Sequence, residues 1–305
     1  MRVLVTGAGS PLGRRVVRAL GGEQVVQLVR PDQAIASGLR ADLVVPDSYG
    51  PAIGPVAAVV HLDQRAQATD GQVLDTNLKG TQALLHACAW LKPRLFLHLS
   101  TALLDHASPD EPDVSPDRYG SAWLAGACAA EARVNLWARR TGTETVVVRA
   151  GHAYGAVGLD GPLTGFLEAA ATSAEGTGVL ALRGAETALP FVHVDDLAAA
   201  IAARVQGGAL PAERTFVASL GRVDAVGLVA SLAQVHQAFC ARTERTARLI
   251  EPRTALGRLL YRQKEPQLPR FLQKSPVHAA NGAWCERYGQ RRLSELAEAL
   301  VGGAC

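Results

Sequence analysis

The chain has 305 residues, 48% hydrophobic and 19% charged, with a formal net charge of +3. That length can bury a large core, the composition excludes a disordered chain, and so small a surplus gives no case for nucleic-acid binding. Five cysteines (Cys88, Cys128, Cys240, Cys285, Cys305) are odd in number, far apart and free of any C-x-x-C pair, which excludes a disulfide framework and points to a reducing cytoplasm.

Residues 2–6 (RVLVT) read as a strand and 12–20 (LGRRVVRAL) as a helix closed by Gly21-Gly22. Further strands are expected at 25–29, more weakly within 39–45, and at 57–62. A long helix covers 75–91, a strand 94–100, a helix runs from about 119 to 140, and a strand covers 143–150. Buried apolar strands alternating with helices predict an α/β fold whose parallel sheet is covered on both faces. Right-handed crossovers make that sheet doubly wound, of the Rossmann type. Past residue 150 the rhythm loosens into glycine- and proline-rich sequence and a basic tail. A smaller substrate-binding domain is expected over 156–186 and 221–305, with 1–155 forming the NAD(P)-binding domain and 187–220 returning to it. Within that return, 189–205 has strand-then-helix order and is expected to rejoin the main sheet. No apolar run reaches the roughly 18 residues of a membrane span. The chain opens directly on a strand, without the segments of a leader.

The stretch VTGAGSPLGRR sits between the first strand and the first helix, where a dinucleotide-binding loop belongs. Gly7 permits the tight turn and Gly13 the close packing of helix on strand. The middle glycine is missing: Ser10 stands there, and Gly9 lies one place early. Ser10-Pro11 also makes local sense, as an N-cap followed by proline in the first helical turn. Leu12 belongs to the same loop. Seventeen residues after Gly13, at the end of the second strand, comes Arg30. An acidic residue there would take the ribose 2′-hydroxyl of NAD, whereas arginine accommodates the 2′-phosphate of NADP, so NADP is expected, with NAD the alternative.

Eight landmarks occur in order over residues 1 to about 205: TGAGSPLG, ADL, VVHL, NLKGTQALLHAC, FLHLST, YGSAW, VVVRAGHAYG and FVHVDDLAAAI. In this series the chain resembles the extended short-chain dehydrogenase/reductases, the NAD-dependent epimerase/dehydratase family. The resemblance implies that Tyr119 exchanges a proton with the substrate oxygen while hydride moves to or from the nicotinamide. Thr101, with Ser100 beside it, is implied as the hydroxyl that bonds the same oxygen. Asp42 and Leu43 are implied beside the adenine, His61 along the cofactor, and Asn77 near the active-site helix. Family members often pair through the helices containing Asn77 and Tyr119, so a homodimer is expected.

The departures are local. The family's lysine, one helical turn after the tyrosine on the same face, is replaced by Trp123. That lysine holds the nicotinamide ribose and lowers the tyrosine pKa. A nearby cation shifts a pKa by roughly 1–3 units, so its loss weakens Tyr119 as a base. A tyrosine left near pKa ~10 remains a proton donor, which favours ketone reduction over alcohol oxidation. HLDQ replaces the usual HLAA, putting Asp63 close to an anionic cofactor unless Arg65 or another cation compensates. Arg149-Ala150 replaces Arg-Pro.

Other signals are weaker. The eight histidines lack H-x-x-x-H or H-E-x-x-H spacing, so none is expected to hold a metal. His152 and Tyr154 come just after a strand end and are substrate-pocket candidates. Asp195-Asp196 opens a helix and suits its dipole. Residues 242–274 carry nine Lys/Arg against three Glu, which fits an anionic substrate or a solvated helical face. Three functions are consistent with these residues: a reductase of a ketone on a small hydrophobic or nucleotide-linked substrate, a catalytically impaired scaffold or partner, or non-redox chemistry (cyclisation, dehydration, epimerisation) in the same pocket.

Overall fold

A computed structural model describes residues 1–21, 24–32, 38–65, 69–101, 104, 121–154, 179–181, 188–207, 217–218, 228–231 and 248–250. The chain divides into two compact units, Met1–Ala150 with Val194–Val226, and Gly151–His193 with Gly227–Cys305.

The first unit keeps the alternation in the sequence. Strand β1 (Arg2–Thr6) leads into helix α1 (Pro11–Ala19), then β2 (Gln24–Val29) and the two-residue β3 (Leu39–Arg40). A short helix α2 (Gly50–Ile53) precedes β4 (Ala58–His61); α3 (Asp70–Leu74) and α4 (Thr81–Leu91) precede β5 (Leu95–Thr101). The long helix α5 (Ala122–Thr141) and β6 (Glu144–Ala150) come next. In the sheet the order is β10-β6-β5-β4-β1-β2-β3, where β10 is Val217–Ala218. All pairings are parallel except β10 on β6. From β1 the strand order therefore runs outward in opposite directions, and the crest beside it is the switch point at which such sheets bind ligands.

Burial explains the apolar runs. Residues 3–6 of β1 and all of β4 are buried, because helices cover both faces of the sheet. One layer packs Leu4, Val59, Phe96 and Val147 from the strands against Leu84 and Leu91 of α4. Helix α1 begins as its sequence dictates: Ser10 is the N-cap, its Oγ accepts from Gly13 N at 2.9 Å, and Pro11 takes the first helical position. The helix predicted over 75–91 begins earlier, at Asp70, where Thr69 and Gln72 form a capping box. It also carries a widened π turn over Asp75–Gly80, one of the inserts that helices tend to carry at functional sites.

The second unit contains β7 (His152–Tyr154), β8 (Val179–Ala181), β9 (Ala188–His193), β11 (Leu228–Ser231) and β12 (Arg248–Ile250). The expectation that the strand within 189–205 rejoins the main sheet is corrected here. β9 pairs in parallel with β7 and antiparallel with β11, and the return to the first unit is Val194–Val226, with helix α6 (Val194–Val205) and β10 among its described residues. Strand-then-helix order fixes the elements but not which edge the strand chooses. Helix α6 lies against α1, and Arg15 Nε meets Asp195 Oδ1 at 2.6 Å. The basic stretch 242–274 lies outside the described residues apart from β12.

Candidate active site

The crest of the first sheet is built from residues at or just past the strand ends: Gly7 after β1, Arg30 after β2, Asp63 after β4 and Thr101 closing β5. Gly7 has φ +66°, and a Cβ there would meet the Asp63 backbone at 2.9 Å. A Cβ on Gly13 would stand 2.1 Å from Gly7 O. These two positions bring α1 close enough to β1 for its N-terminus to face the crest, the arrangement that receives a pyrophosphate.

Ser10 changes what the turn can offer. Its Oγ takes the Gly13 N–H, its own N–H goes to Gly7 O at 3.0 Å, and Pro11 has no N–H. The Arg14 N–H is bonded to Ser10 O. Leu12 therefore supplies the helix-start donor that remains for an anion. The turn fits a dinucleotide's backbone, with fewer donors than a glycine in the middle position would leave. Gly9 accepts from Arg14 NH1 at 2.5 Å, which holds that side chain along the loop.

Four charges cross the crest beside Gly7. Arg30 NH1 donates to Asp63 Oδ1 at 2.5 Å and its Nε to Asp32 Oδ1 at 3.3 Å, while Arg65 NH2 reaches Asp32 Oδ2 at 2.8 Å. Asp63 is 4% exposed. Burial pushes its carboxyl up to about 6 against the pull of Arg30 and Arg65. Asp32 is mostly exposed, and its carboxyl is lowered: desolvation, the largest single effect, acts upward, and the combined charges and hydrogen bonds of Arg30 and Arg65 outweigh it. The cation that compensates Asp63 most closely is thus Arg30, with Arg65 turned to Asp32.

Asn77 lies in the π turn and clamps this segment. Its Oδ1 accepts from Arg65 N at 2.8 Å and its Nδ2 donates to Arg65 O at 3.0 Å. Gly126 of α5 makes room for it: a Cβ there would come to 3.3 Å from Asn77 Cβ. Asn77 is 3% exposed, so it positions the crest loop from beneath.

A buried polar layer runs under the same crest. His61 is 1% exposed, its Nδ1 2.7 Å from Thr6 Oγ1 and its Nε2 2.9 Å from Thr81 Oγ1. Thr81 spends its proton on Asn77 O at 2.7 Å, so it accepts from His61 Nε2–H, and Nδ1 accepts from Thr6. Both ring nitrogens of His61 are thus engaged inside the fold. The ring of His98 lies 5.2 Å from that of His61. Ser100 is buried near the end of β5. Its hydroxyl donates to Glu131 Oε1 of α5, and Glu131 is paired with Arg149 NH2 at 2.6 Å. Strand alternation turns Thr101 to the opposite face from Ser100, where it is 6% exposed. Leu43 is 4% exposed and packs in the core with Tyr49, whose hydroxyl donates to Leu43 O. Asp42 is exposed just past β3 and accepts from Val44 N at 3.1 Å.

Trp123 is half-buried in the first turn of α5, which Ser121 caps by accepting from Leu124 N. Tyr119 lies outside the described residues. His152 and Tyr154 fall on β7, in register with Phe191 and His193 of β9, and their side chains are not among those described. Residue chemistry alone gave no sign of the Glu131–Arg149–Ser100 cluster, since its members are far apart in sequence. An arginine and a glutamate in otherwise apolar elements were the available signal. Among the described residues no cluster of three metal-ligating side chains occurs, and no helix is long and apolar enough to cross a membrane.

The chain belongs to the NAD dependent epimerase/dehydratase family, whose model matches residues 3–218. It is 28% identical over 187 residues to a dTDP-glucose 4,6-dehydratase of Streptomyces niveus, which covers 51% of this chain and 54% of that protein. The chain thus spans about half the length of this curated relative. Among solved structures it is similar to L-threonine dehydrogenase from Phytophthora infestans, with a TM-score of 0.67, 15% identity and coverage of 99% and 98%. It is also similar to a short-chain dehydrogenase/reductase superfamily protein from Agrobacterium tumefaciens with bound NAD, with a TM-score of 0.65, 19% identity and coverage of 99% and 97%. Those two likenesses show the fold, a Rossmann-type sheet.

Gly13→Ala tests the turn. The new Cβ would meet Gly7 O and the Ala8 backbone rather than a flexible side chain, so α1 must move off β1. A loss of about 1–3 kcal/mol in urea denaturation is expected. A variant as stable as the parent would show that the helix is free to shift.

Proposed function

We propose that the protein is a nicotinamide-dinucleotide-dependent enzyme that reduces a ketone on a small hydrophobic or nucleotide-linked substrate. The observation that carries this reading is the β1–α1 turn, where Gly7 and Gly13 let the start of α1 approach the crest in a chain of this family. Gly7, Gly9, Ser10, Leu12 and Gly13 would line the pyrophosphate, Arg30 and Asp42 the adenosine end, and Trp123 the nicotinamide end. The bound nicotinamide supplies the hydride.

Tyr119 gives its hydroxyl proton to the carbonyl oxygen, and Thr101 donates a hydrogen bond that orients the same oxygen. With Trp123 in place of an ammonium, no cation at that position favours the tyrosinate, so Tyr119 serves as a proton donor rather than a base. Reduction is therefore favoured over oxidation. A nucleotide-linked substrate draws support from the relative that is a dTDP-glucose 4,6-dehydratase. Epimerisation or dehydration in the same pocket would use the same two hydroxyls. A second reading, a cofactor-binding protein with impaired catalysis, is favoured by the donors withdrawn at Ser10 and Pro11 together with Trp123.

Titrating NADH and NADPH against tryptophan fluorescence tests the first reading, with saturable quenching expected. No response to either at millimolar concentration removes it. With a reducible ketone in hand, Tyr119→Phe is expected to lower kcat by about 100-fold or more. Binding without any such turnover leaves the second reading. Trp123→Lys should tighten dinucleotide binding if the ammonium is merely missing. Loss of the native activity in that variant would instead mean that the pocket is built around the indole.

A further inference from the structure

We infer that Asp63 sets the cofactor preference: by holding the Arg30 guanidinium in an internal ion pair it withholds that group from a 2′-phosphate and favours NAD(H) over NADP(H). The inference rests on the dinucleotide reading and departs from the NADP that Arg30 alone implies.

Arg30 occupies the place at the end of β2 where an arginine would receive a 2′-phosphate. It is not free to do so. NH1 is given to Asp63 and Nε to Asp32, so each edge of the planar fork that would grip a phosphate already has one of its two donors on a carboxylate. The alternative cation, Arg65, is drawn to Asp32. The quartet of two arginines and two aspartates sums to zero charge, so a 2′-phosphate arriving there gains no net attraction and meets the exposed Asp32.

Swinging Arg30 out to a phosphate would leave Asp63, 4% exposed, without its closest cation. A buried charge stripped of its partner is strongly disfavoured, and that penalty is set against any phosphate contact Arg30 would make. A ribose with a free 2′-hydroxyl makes no such demand. Its hydroxyl donates to a carboxylate, and Asp32 presents one at the surface of the quartet. Asp63 touches Arg30 rather than the dinucleotide, so it acts as a positioning residue.

The experiment is equilibrium binding of NADH and NADPH to the full chain, by calorimetry, without any substrate. The parent is expected to bind NADH about tenfold tighter or more, and Asp63→Asn to shift the ratio about tenfold toward NADPH by releasing Arg30. A parent that prefers NADPH, or a folded Asp63→Asn protein with an unchanged ratio, overturns the inference and leaves the dinucleotide reading standing. Failure of both dinucleotides to bind overturns both. Should Asp63→Asn not give the parent's circular dichroism spectrum, Asp32→Asn at the exposed corner decides. A shift of about threefold or more toward NADPH supports the inference, and no shift overturns it.

Discussion

Replacing Glu131 with alanine is expected to destabilise the protein by about 3–5 kcal/mol. Glu131 is 1% exposed and Arg149 9%. The carboxylate accepts from Arg149 Nε at 3.0 Å, from Arg149 NH2 at 2.6 Å and from the Ser100 hydroxyl. Arg149 NH1 also donates to Leu104 O at 2.9 Å. Removing the carboxylate takes the acidic partner at 2.6 Å from a nine-tenths-buried guanidinium, which is costlier than removing both partners. The double variant Glu131→Leu, Arg149→Met should accordingly recover much of the loss. Urea denaturation of the three proteins checks this. A loss below about 1 kcal/mol in the single variant would mean that water reaches the pair. The cluster ties α5 to the C-terminal ends of β5 and β6, one residue from Thr101, so the single variant should also weaken any activity that depends on that hydroxyl.

Acid is expected to weaken the fold well before the carboxylates as a class protonate. Burial, reinforced by His98, holds His61 well below the ordinary histidine value, and burial brings His98 down to about 4. Both are depressed relative to about 6.5 in the unfolded chain. Their contribution is intact above pH 6.5 and is lost as pH falls, because the unfolded chain takes up protons the folded one refuses. Asp63 acts in the opposite sense. Its pKa is raised to about 6, so the folded state gains a proton first as pH falls through that value. Asp32 is exposed, and its shift adds little. Between about pH 6 and 4 the unfolded state takes up roughly one proton more than the folded state, a loss of about 1 kcal/mol per pH unit.

His98→Leu should flatten that slope. Among the described residues neither ring nitrogen of His98 has a hydrogen-bond partner, so an apolar replacement should also raise the urea midpoint at pH 7. A lower midpoint at pH 7 would show that the ring is satisfied by an internal water the layer requires.

Most of the fold was legible because burial writes itself into periodicity. Apolar runs such as VVVRA marked strands covered on both faces, and Ser10-Pro11 marked the start of α1 by the chemistry that caps it. The π turn was not legible: an inserted residue shifts the helical phase, but the five residues of α3 before it are too few to show the shift, and the Asn77 clamp on Arg65 is seen only in the structure. Thr101 read as the better match with Ser100 beside it, and only the pleat shows that the two turn to opposite faces. β9 was expected on the main sheet and instead pairs between β11 and β7, since a strand's choice of partners depends on what else the chain brings to it.

The sequence by itself determined the order of elements, the glycine turn and the departures at Ser10, Asp63 and Trp123, since each depends on local geometry or on residue identity. Only the tertiary structure decided that Arg30 is bound to Asp63, that His61 looks inward and that Glu131 meets Arg149. The physical reason is distance along the chain. Pairs separated by 33, 55 and 18 residues leave no trace in spacing or composition, and they form only when parallel strands and their helices bring those positions together.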